Sequence, residues 1–338
     1  MSDRPLIAGH DAALFDLDGV VYLGPQPVPA AAPTIAELKQ QGVHCAYVTN
    51  NASRTPEQVA EHLVELQIPT AATDVITSSQ AVARVLVERF PAGSPVFVLG
   101  APALVDEVAR AGMRPVFSVA DQPAAVVQGL SAAMTWHDLC EATVAIHRGA
   151  TWIAANTDST RPTERGQLPG CGAAVAAVAT AVDVDPVVAG KPHAPLMVET
   201  LERLGAESPI FVGDRLDTDI AGAVTVGIDS LLVLSGAHSV ADLLAAGPDR
   251  RPTHLGADVS ALLKPAREVE ITDAGVRCGG QTVQARGNSY EWQGRITSGE
   301  DWLDAAWALA NLHWRAASAG TDPYVIMEQL GPRPEEDR

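Results

Sequence analysis

Ala12-Ala13-Leu14-Phe15-Asp16-Leu17-Asp18-Gly19-Val20-Val21 decides the reading of this chain. A short apolar run leads directly into two carboxylates and a glycine, so residues 12–16 are predicted to form a buried strand with Asp16 and Asp18 at its carboxyl end. Open α/β sheets place their ligands at that end. The two-residue period of an extended chain sends both side chains toward the same side, where one can act as a nucleophile while the other moves protons. An isolated Asp-x-Asp is commonest in solvated turns, so the motif needs company before it carries function. A calcium loop is a poor rival, because the sixth-position glycine and the closing glutamate are missing.

Outward from this segment, short β-branched or aromatic runs alternate with alanine-rich amphipathic ones, the pattern of βαβ units around a parallel sheet. Helices are predicted over 33–41, 55–66, 173–182, 194–204 and 219–226. Strands are predicted over 44–49, 95–99, 152–156, 186–189, 209–213 and 230–234. After about Leu263 the texture changes and a separate small unit begins. There the runs 269–277 and 281–286 flank Cys278-Gly279-Gly280 like a β-hairpin. The segment 301–317 spaces Trp302, Ala306, Leu309, Ala310, His313 and Trp314 as a core-facing helical stripe.

Three further polar groups follow apolar strands. Thr49-Asn50-Asn51 offers a hydroxyl and amides, suited to phosphoryl oxygens but equally to a polar turn and helix cap. Gly190-Lys191-Pro192 puts one lysine at a strand end. Gly213-Asp214-Arg215-Leu216-Asp217-Thr218-Asp219 gathers carboxylates before a helix, with Asp219 suited to be its N-cap and a site residue together.

Taken in order, these four groups resemble the haloacid dehalogenase superfamily, in the branch of p-nitrophenyl phosphatase, phosphoglycolate phosphatase and glycerol-3-phosphate phosphatase enzymes with a large α/β cap. The likeness runs over 12–263, and extends to Ile220-Ala221-Gly222-Ala223, Gly227 and Leu234-Ser235-Gly236. It implies an α/β fold: a Rossmann-like parallel-sheet core (1–79 and 188–263), an inserted α/β cap domain (80–187) and a small C-terminal α+β extension (264–338) that carries no comparable match. It also implies a phosphatase in which Asp16 is the nucleophile, Asp18 the general acid and base, Thr49 and Asn50 the phosphoryl clamp, and Lys191 the cation beside Asp16. Mg²⁺ is expected on the Asp16 side chain, the Asp18 backbone carbonyl and Asp214, with Asp219 behind them positioning a metal-bound water or Lys191. Dehalogenases of the superfamily lack an acid where Asp18 stands, so Asp18 favours phosphate hydrolysis.

In the cap, Asn156-Thr157-Asp158-Ser159-Thr160-Arg161-Pro162 resembles the substrate-specificity loop, with Thr157 where the family often has proline and Arg161 and Pro162 at the tip, Arg161 being a candidate for reaching the substrate. Gly170-Cys171-Gly172 opens an apolar helix and can be read as an anion site or as close packing. With aromatic residues at 4% and no stacking platform, a small polyol or acid phosphate fits better than a nucleotide. Glycerol 3-phosphate is expected first, then phosphoglycolate or another sugar or polyol phosphate. A phosphotransferase or mutase and a regulatory protein with a relict site remain as rivals.

The 23 Lys and Arg stand against 41 Asp and Glu, for a formal net charge of −18, which argues against a nucleic acid or anionic membrane partner. Cys45, Cys140, Cys171 and Cys278 stand apart from one another, as in a reducing cytoplasm rather than a disulfide or zinc framework. Asp3, His10, Asp11 and Asp16 interrupt any apolar leader, so a cytoplasmic protein acting on a small phosphorylated metabolite is expected, with homo-oligomerisation left open.

Overall fold

In the computed structural model, residues 4–163, 165–273, 275–286, 289–315 and 322–334 are described. By its contacts the chain divides into two compact units, one of residues 1–23, 28–44 and 208–338, the other of 24–27 and 45–207.

The first unit carries a parallel sheet of His254–Gly256, Asp229–Val233, Pro209–Gly213 and Ala12–Phe15, in that spatial order. All four residues of Ala12–Phe15 are buried, as a strand covered on both faces must be. Its register, Phe15 opposite Val212, brings the carboxyl ends of Ala12–Phe15 and Pro209–Gly213 to the same level. The predicted helix 219–226 is two structures: a π-helical turn at Leu216–Ile220 and an α-helix only from Ala221 to Val226. Asp219 is therefore not an N-cap but lies inside the turn.

The segment after Leu263 is an antiparallel meander of four strands, Val269–Thr272, Gly275–Cys278, Gln281–Arg286 and Ser289–Gln293, where a two-stranded hairpin was expected. The expected strand 269–277 is broken by a turn leading into Gly275, whose φ of +134° only glycine adopts readily. Helix Gly299–Arg315 packs on this sheet. Trp302, Ala306, Leu309 and Ala310 are buried as the stripe predicts, while His313 and Trp314 are only partly buried; positions 316 and 317 lie outside the described residues. Trp302, Leu303, Trp307 and Leu309 share one hydrophobic cluster with Leu216, Ile220, Leu232 and Leu243. The tail thus completes the core of this unit rather than standing apart.

The second unit holds His44–Thr49 paired in parallel with Val75–Thr77, and a five-stranded parallel sheet ordered Val187–Val188, Thr151–Ala154, Ala125–Gln128, Pro95–Leu99, Arg114–Val116. Helix Trp136–His147 buries Ala142, Ala145 and Ile146 against this sheet in a cluster with Phe97, Val126 and Trp152. A hairpin, Thr160–Thr163 with Gly166–Pro169, precedes helix Cys171–Ala179. No helix among the described residues is long and apolar enough to cross a membrane. All four cysteines are free thiols.

Candidate active site

Parallel register explains why carboxylates meet in the first unit. The Asp16 N–H donates to Val212 O at 2.9 Å, continuing the ladder past the strand end, so Asp16 and Asp214 emerge from neighbouring strands at the same edge. The π-turn then brings Asp219 back to them. Carboxylate oxygens of Asp16, Asp214 and Asp219, all three residues buried, lie within 4.8 Å of one another. The Asp219 carboxylate is grouped with the other two, and its Oδ2 accepts the Arg215 N–H at 3.2 Å, which fixes the turn. π-Turns inside helical segments recur at functional sites for this reason, since the extra residue redirects a side chain.

Three glycines make room for this cluster. A Cβ at Gly19 would stand 2.2 Å from Asp214 Oδ2, one at Gly236 2.1 Å from the same oxygen, and one at Gly213 2.2 Å from Asp219 Cβ. Gly19 also has φ +92°, closing the loop after Asp18 in which Val21 N–H donates to Leu17 O at 2.9 Å. Ser235 Oγ donates to Gly19 O at 2.7 Å, and Ala237 N–H donates to Asp214 Oδ2 at 2.6 Å. His238 Nδ1 accepts the Leu216 N–H at 2.7 Å, pinning the start of the π-turn. Thus 235–238 build the cradle for Asp214. The sequence carried one trace of it, Ser235-Gly236 directly after a strand, with no chemistry to mark its role. Asp18, two residues after Asp16, is partly exposed.

Three buried carboxylates so close together are unfavourable without a counter-ion. Their all-oxygen donor set fits a hard divalent cation such as Mg²⁺, which Asp16, Asp214 and Asp219 would hold.

The second unit gathers the other predicted residues. Lys191 is 1% exposed, and its Nζ donates to Val48 O at 3.1 Å, so the ammonium is held at the carboxyl end of His44–Thr49. Asn50 grips the Lys191 peptide from both sides: Oδ1 accepts the Lys191 N–H at 2.8 Å, and Nδ2 donates to Lys191 O at 3.0 Å. The same Nδ2 lies 3.2 Å from Asp158 Oδ2, so the Asn50 amide holds the lysine loop. Gly190 is required here, because a Cβ would stand 2.6 Å from both Ala155 O and Asn50 Oδ1. Asn156 Nδ2 and Ser78 Oγ both donate to Asn50 O at 2.6 Å. Asn156, Asp158 and Ser78 are supports that sequence patterns did not single out for this work. Thr49 Oγ1 accepts the Asn51 N–H at 3.1 Å, leaving its own proton able to donate.

Arg161 is exposed and lies within a hairpin arm opposite Leu168, not at the tip of a loop; the Pro162 side chain is outside the described residues. The N–H groups of Gly170 and Gly172 donate to Ser159 O at 2.9 Å and Asp158 O at 2.8 Å. Close backbone approach accounts for both glycines, since Cβ atoms there would stand 2.2 Å from carbonyl oxygens. Burial pushes the Cys171 thiol up to about 12, so it is protonated at neutral pH and no nucleophile.

Residues 13–114 match the family model described as haloacid dehalogenase-like hydrolase, and 188–262 match a second model described as HAD-hydrolase-like. The chain is 42% identical over 315 residues to D-glycerol 3-phosphate phosphatase of Mycobacterium tuberculosis, covering 92% of this chain and 87% of the relative. This chain belongs to the haloacid dehalogenase-like hydrolases. This hydrolase is also 38% identical over 236 residues to the acid sugar phosphatase of Staphylococcus aureus, covering 69% and 90% of the two chains. Its structure is similar to the glycerol phosphate phosphatase of Mycobacterium tuberculosis solved in complex with magnesium, with TM-score 0.83, 40% identity, and coverage of 91% and 92%. Both Mycobacterium tuberculosis likenesses extend into the tail, for which the motifs read from the sequence gave no match.

Proposed function

We propose that this hydrolase is a Mg²⁺-dependent phosphatase that cleaves a small phosphomonoester, glycerol 3-phosphate first, through an aspartyl phosphate on Asp16. The buried cluster of Asp16, Asp214 and Asp219, with Asp18 two residues from the nucleophile, carries the reading. An Asp16 carboxylate oxygen attacks phosphorus, the P–O bond to the alcohol breaks, and Asp18 gives the leaving alkoxide its proton. Asp18 then takes a proton from water, the hydroxide attacks the aspartyl phosphate, and inorganic phosphate leaves as the Asp16 carboxylate is restored. Mg²⁺, when bound, offsets phosphoryl charge and the mutual repulsion of its three carboxylates. Thr49 and Lys191 are assigned the phosphoryl oxygens by the family likeness, with Asn50 holding the Lys191 peptide and Arg161 a candidate for reading the leaving group.

The identity to D-glycerol 3-phosphate phosphatase supports that substrate, and the acid sugar phosphatase supports sugar and polyol phosphates, with phosphoglycolate next. We further propose a core of 1–79 and 188–263, a cap of 80–187 and an extension of 264–338, in a cytoplasmic enzyme; the four free thiols favour that compartment. The test is phosphate release by purified protein from a panel of small phosphomonoesters with and without Mg²⁺. Equal recovery of inorganic phosphate and free alcohol supports hydrolysis. Alcohol in excess of phosphate means transfer to a second acceptor, and no Mg²⁺-dependent release from any ester refutes the reading.

A further inference from the structure

A second cluster of ligating side chains lies at the amino edge of the first unit's sheet, away from the carboxylates already described. His10 sits two residues before Ala12–Phe15, Asp229 begins Asp229–Val233, and His254 begins His254–Gly256. These strands are parallel, so their starts share one edge, about 13 Å from the edge bearing Asp16 by the rise of a four-residue strand. One donor atom from each of the three residues lies within 4.8 Å of the others.

Several observations separate this cluster from a chance meeting of surface groups. His10 Nδ1 lies 3.2 Å from Ser208 O, in the residue just before the strand Pro209–Gly213. A carbonyl accepts only, so Nδ1 carries the proton and Nε2 presents its lone pair, the arrangement that orients imidazoles toward metals. His254 Nδ1 is buried with no hydrogen-bond partner. No competing hydrogen bond at that atom fixes the ring, and coordination would satisfy a ring nitrogen that is otherwise poorly provided for. Asp229 is exposed at the start of its strand.

We propose that His10, Asp229 and His254 form a binding site for a zinc-class divalent transition metal, with Zn²⁺ the ion chosen. Two imidazoles select against Mg²⁺, which takes oxygen ligands, and favour Zn²⁺ and its neighbours. Ligands about 2.1 Å from a tetrahedral zinc stand roughly 3.4 Å apart, so donor atoms within 4.8 Å of one another close by at most about 1.4 Å on binding. A fourth position is left to water. The bound ion clips three separate stretches of chain at the sheet edge, so it acts on stability and leaves the chemistry at Asp16 alone.

The experiment titrates Zn²⁺ into metal-stripped full-length protein against a chromophoric chelator, with millimolar Mg²⁺ filling the carboxylate site. Cobalt absorption spectra report the coordination, and thermal unfolding is followed with and without Zn²⁺. Wild type is expected to bind one equivalent with Kd at or below about 10 µM, to show the intense visible bands of four-coordinate cobalt, and to unfold at higher temperature as zinc rises. His10→Ala and His254→Ala should each weaken binding at least tenfold and abolish those bands while keeping wild-type Mg²⁺-dependent turnover. If His254→Ala does not fold, Asp229→Asn, altered at an exposed side chain, carries the same test. Zinc bound equally by wild type and the variants, or only octahedral cobalt spectra, means adventitious surface metal and overturns the site, as does the absence of any bound equivalent.

Discussion

Gly236→Ala tests whether the Asp214 cradle sets the metal site. The added Cβ would stand 2.1 Å from Asp214 Oδ2, 2.5 Å from Cγ and 2.6 Å from Cβ. Ordinary contact begins at 3.4 Å, so the oxygen must retreat by 3.4 − 2.1 = 1.3 Å. Rotating the carboxylate does not suffice, because Asp214 Cβ itself is too close. The displaced oxygen also gives up its 2.6 Å bond from Ala237 N–H. A misplacement of about 1 Å costs on the order of 10²-fold in rate where geometry sets the chemistry. We expect kcat/KM for phosphate release to fall by about that factor, and the Mg²⁺ needed for half-saturation to rise at least about tenfold. Gly236 does not have a positive φ, so alanine adds no strain of that kind, but the crowded Cβ should destabilise the metal-free protein by about 1–3 kcal/mol. Gly19→Ala moves activity the same way but adds strain at φ +92°. Gly280→Ala meets nothing within 4 Å and is the control. A folded Gly236→Ala protein with the wild-type Mg²⁺ curve and rate refutes this account of the cradle.

Asp18→Asn removes the exchangeable proton while keeping the backbone. It should slow attack on an alkyl phosphate by roughly 10²-fold, yet give a burst of phenolate with nitrophenyl phosphate, read by rapid mixing; equal slowing for both leaving groups would withdraw the acid-base role. Cys171→Ser should keep turnover, because its thiol is protonated and buried; loss of activity in a folded variant, judged by circular dichroism, counts against the carboxylate mechanism. Trp307→Ala removes a side chain that is 4% exposed, stacks edge-on to Trp314 at 5.8 Å and donates to Arg267 O at 3.1 Å. Denaturant unfolding should show a loss of about 3–5 kcal/mol, and an unchanged midpoint refutes a shared core with the tail. Burial works against Glu300, but Lys264 and Arg267 overcome it and hold its carboxyl below the usual value. Its contribution is therefore present above about pH 4.3 and lost as pH falls through the lower folded value. Glu300→Gln should flatten the acid limb of stability against pH, and an unaltered limb in urea titrations excludes the effect.

Some elements were legible because local signals agreed. The runs 44–49, 95–99, 194–204 and 209–213 fold with the bounds read from hydrophobic period and punctuation alone. Others failed for definite reasons. Periodicity cannot tell a π-turn from the first turn of an α-helix, so Asp219 read as a cap. The expected run 269–277 divides into two strands, because Gly275 stands inside an otherwise β-like run, and Ser289–Gln293 adds a fourth strand that was not expected.

Sequence by itself singled out Asp16, Asp18, Lys191 and Asp214 as candidates, since each follows an apolar strand and a parallel sheet puts strand ends where ligands bind. Only the tertiary structure decided how they are held. Parallel register levels Asp16 with Asp214, a π-turn returns Asp219 to them, and glycines 19, 213 and 236 vacate the volume that the carboxylates fill. Asn50 spends its amide on the Lys191 peptide, 141 residues away along the chain, and the tail buries Trp302 and Trp307 in a hydrophobic cluster shared with Leu216 and Ile220. Local pattern reports what a side chain can do and which way its own strand or helix points it. What it touches depends on segments far away in sequence, which a one-dimensional pattern does not encode.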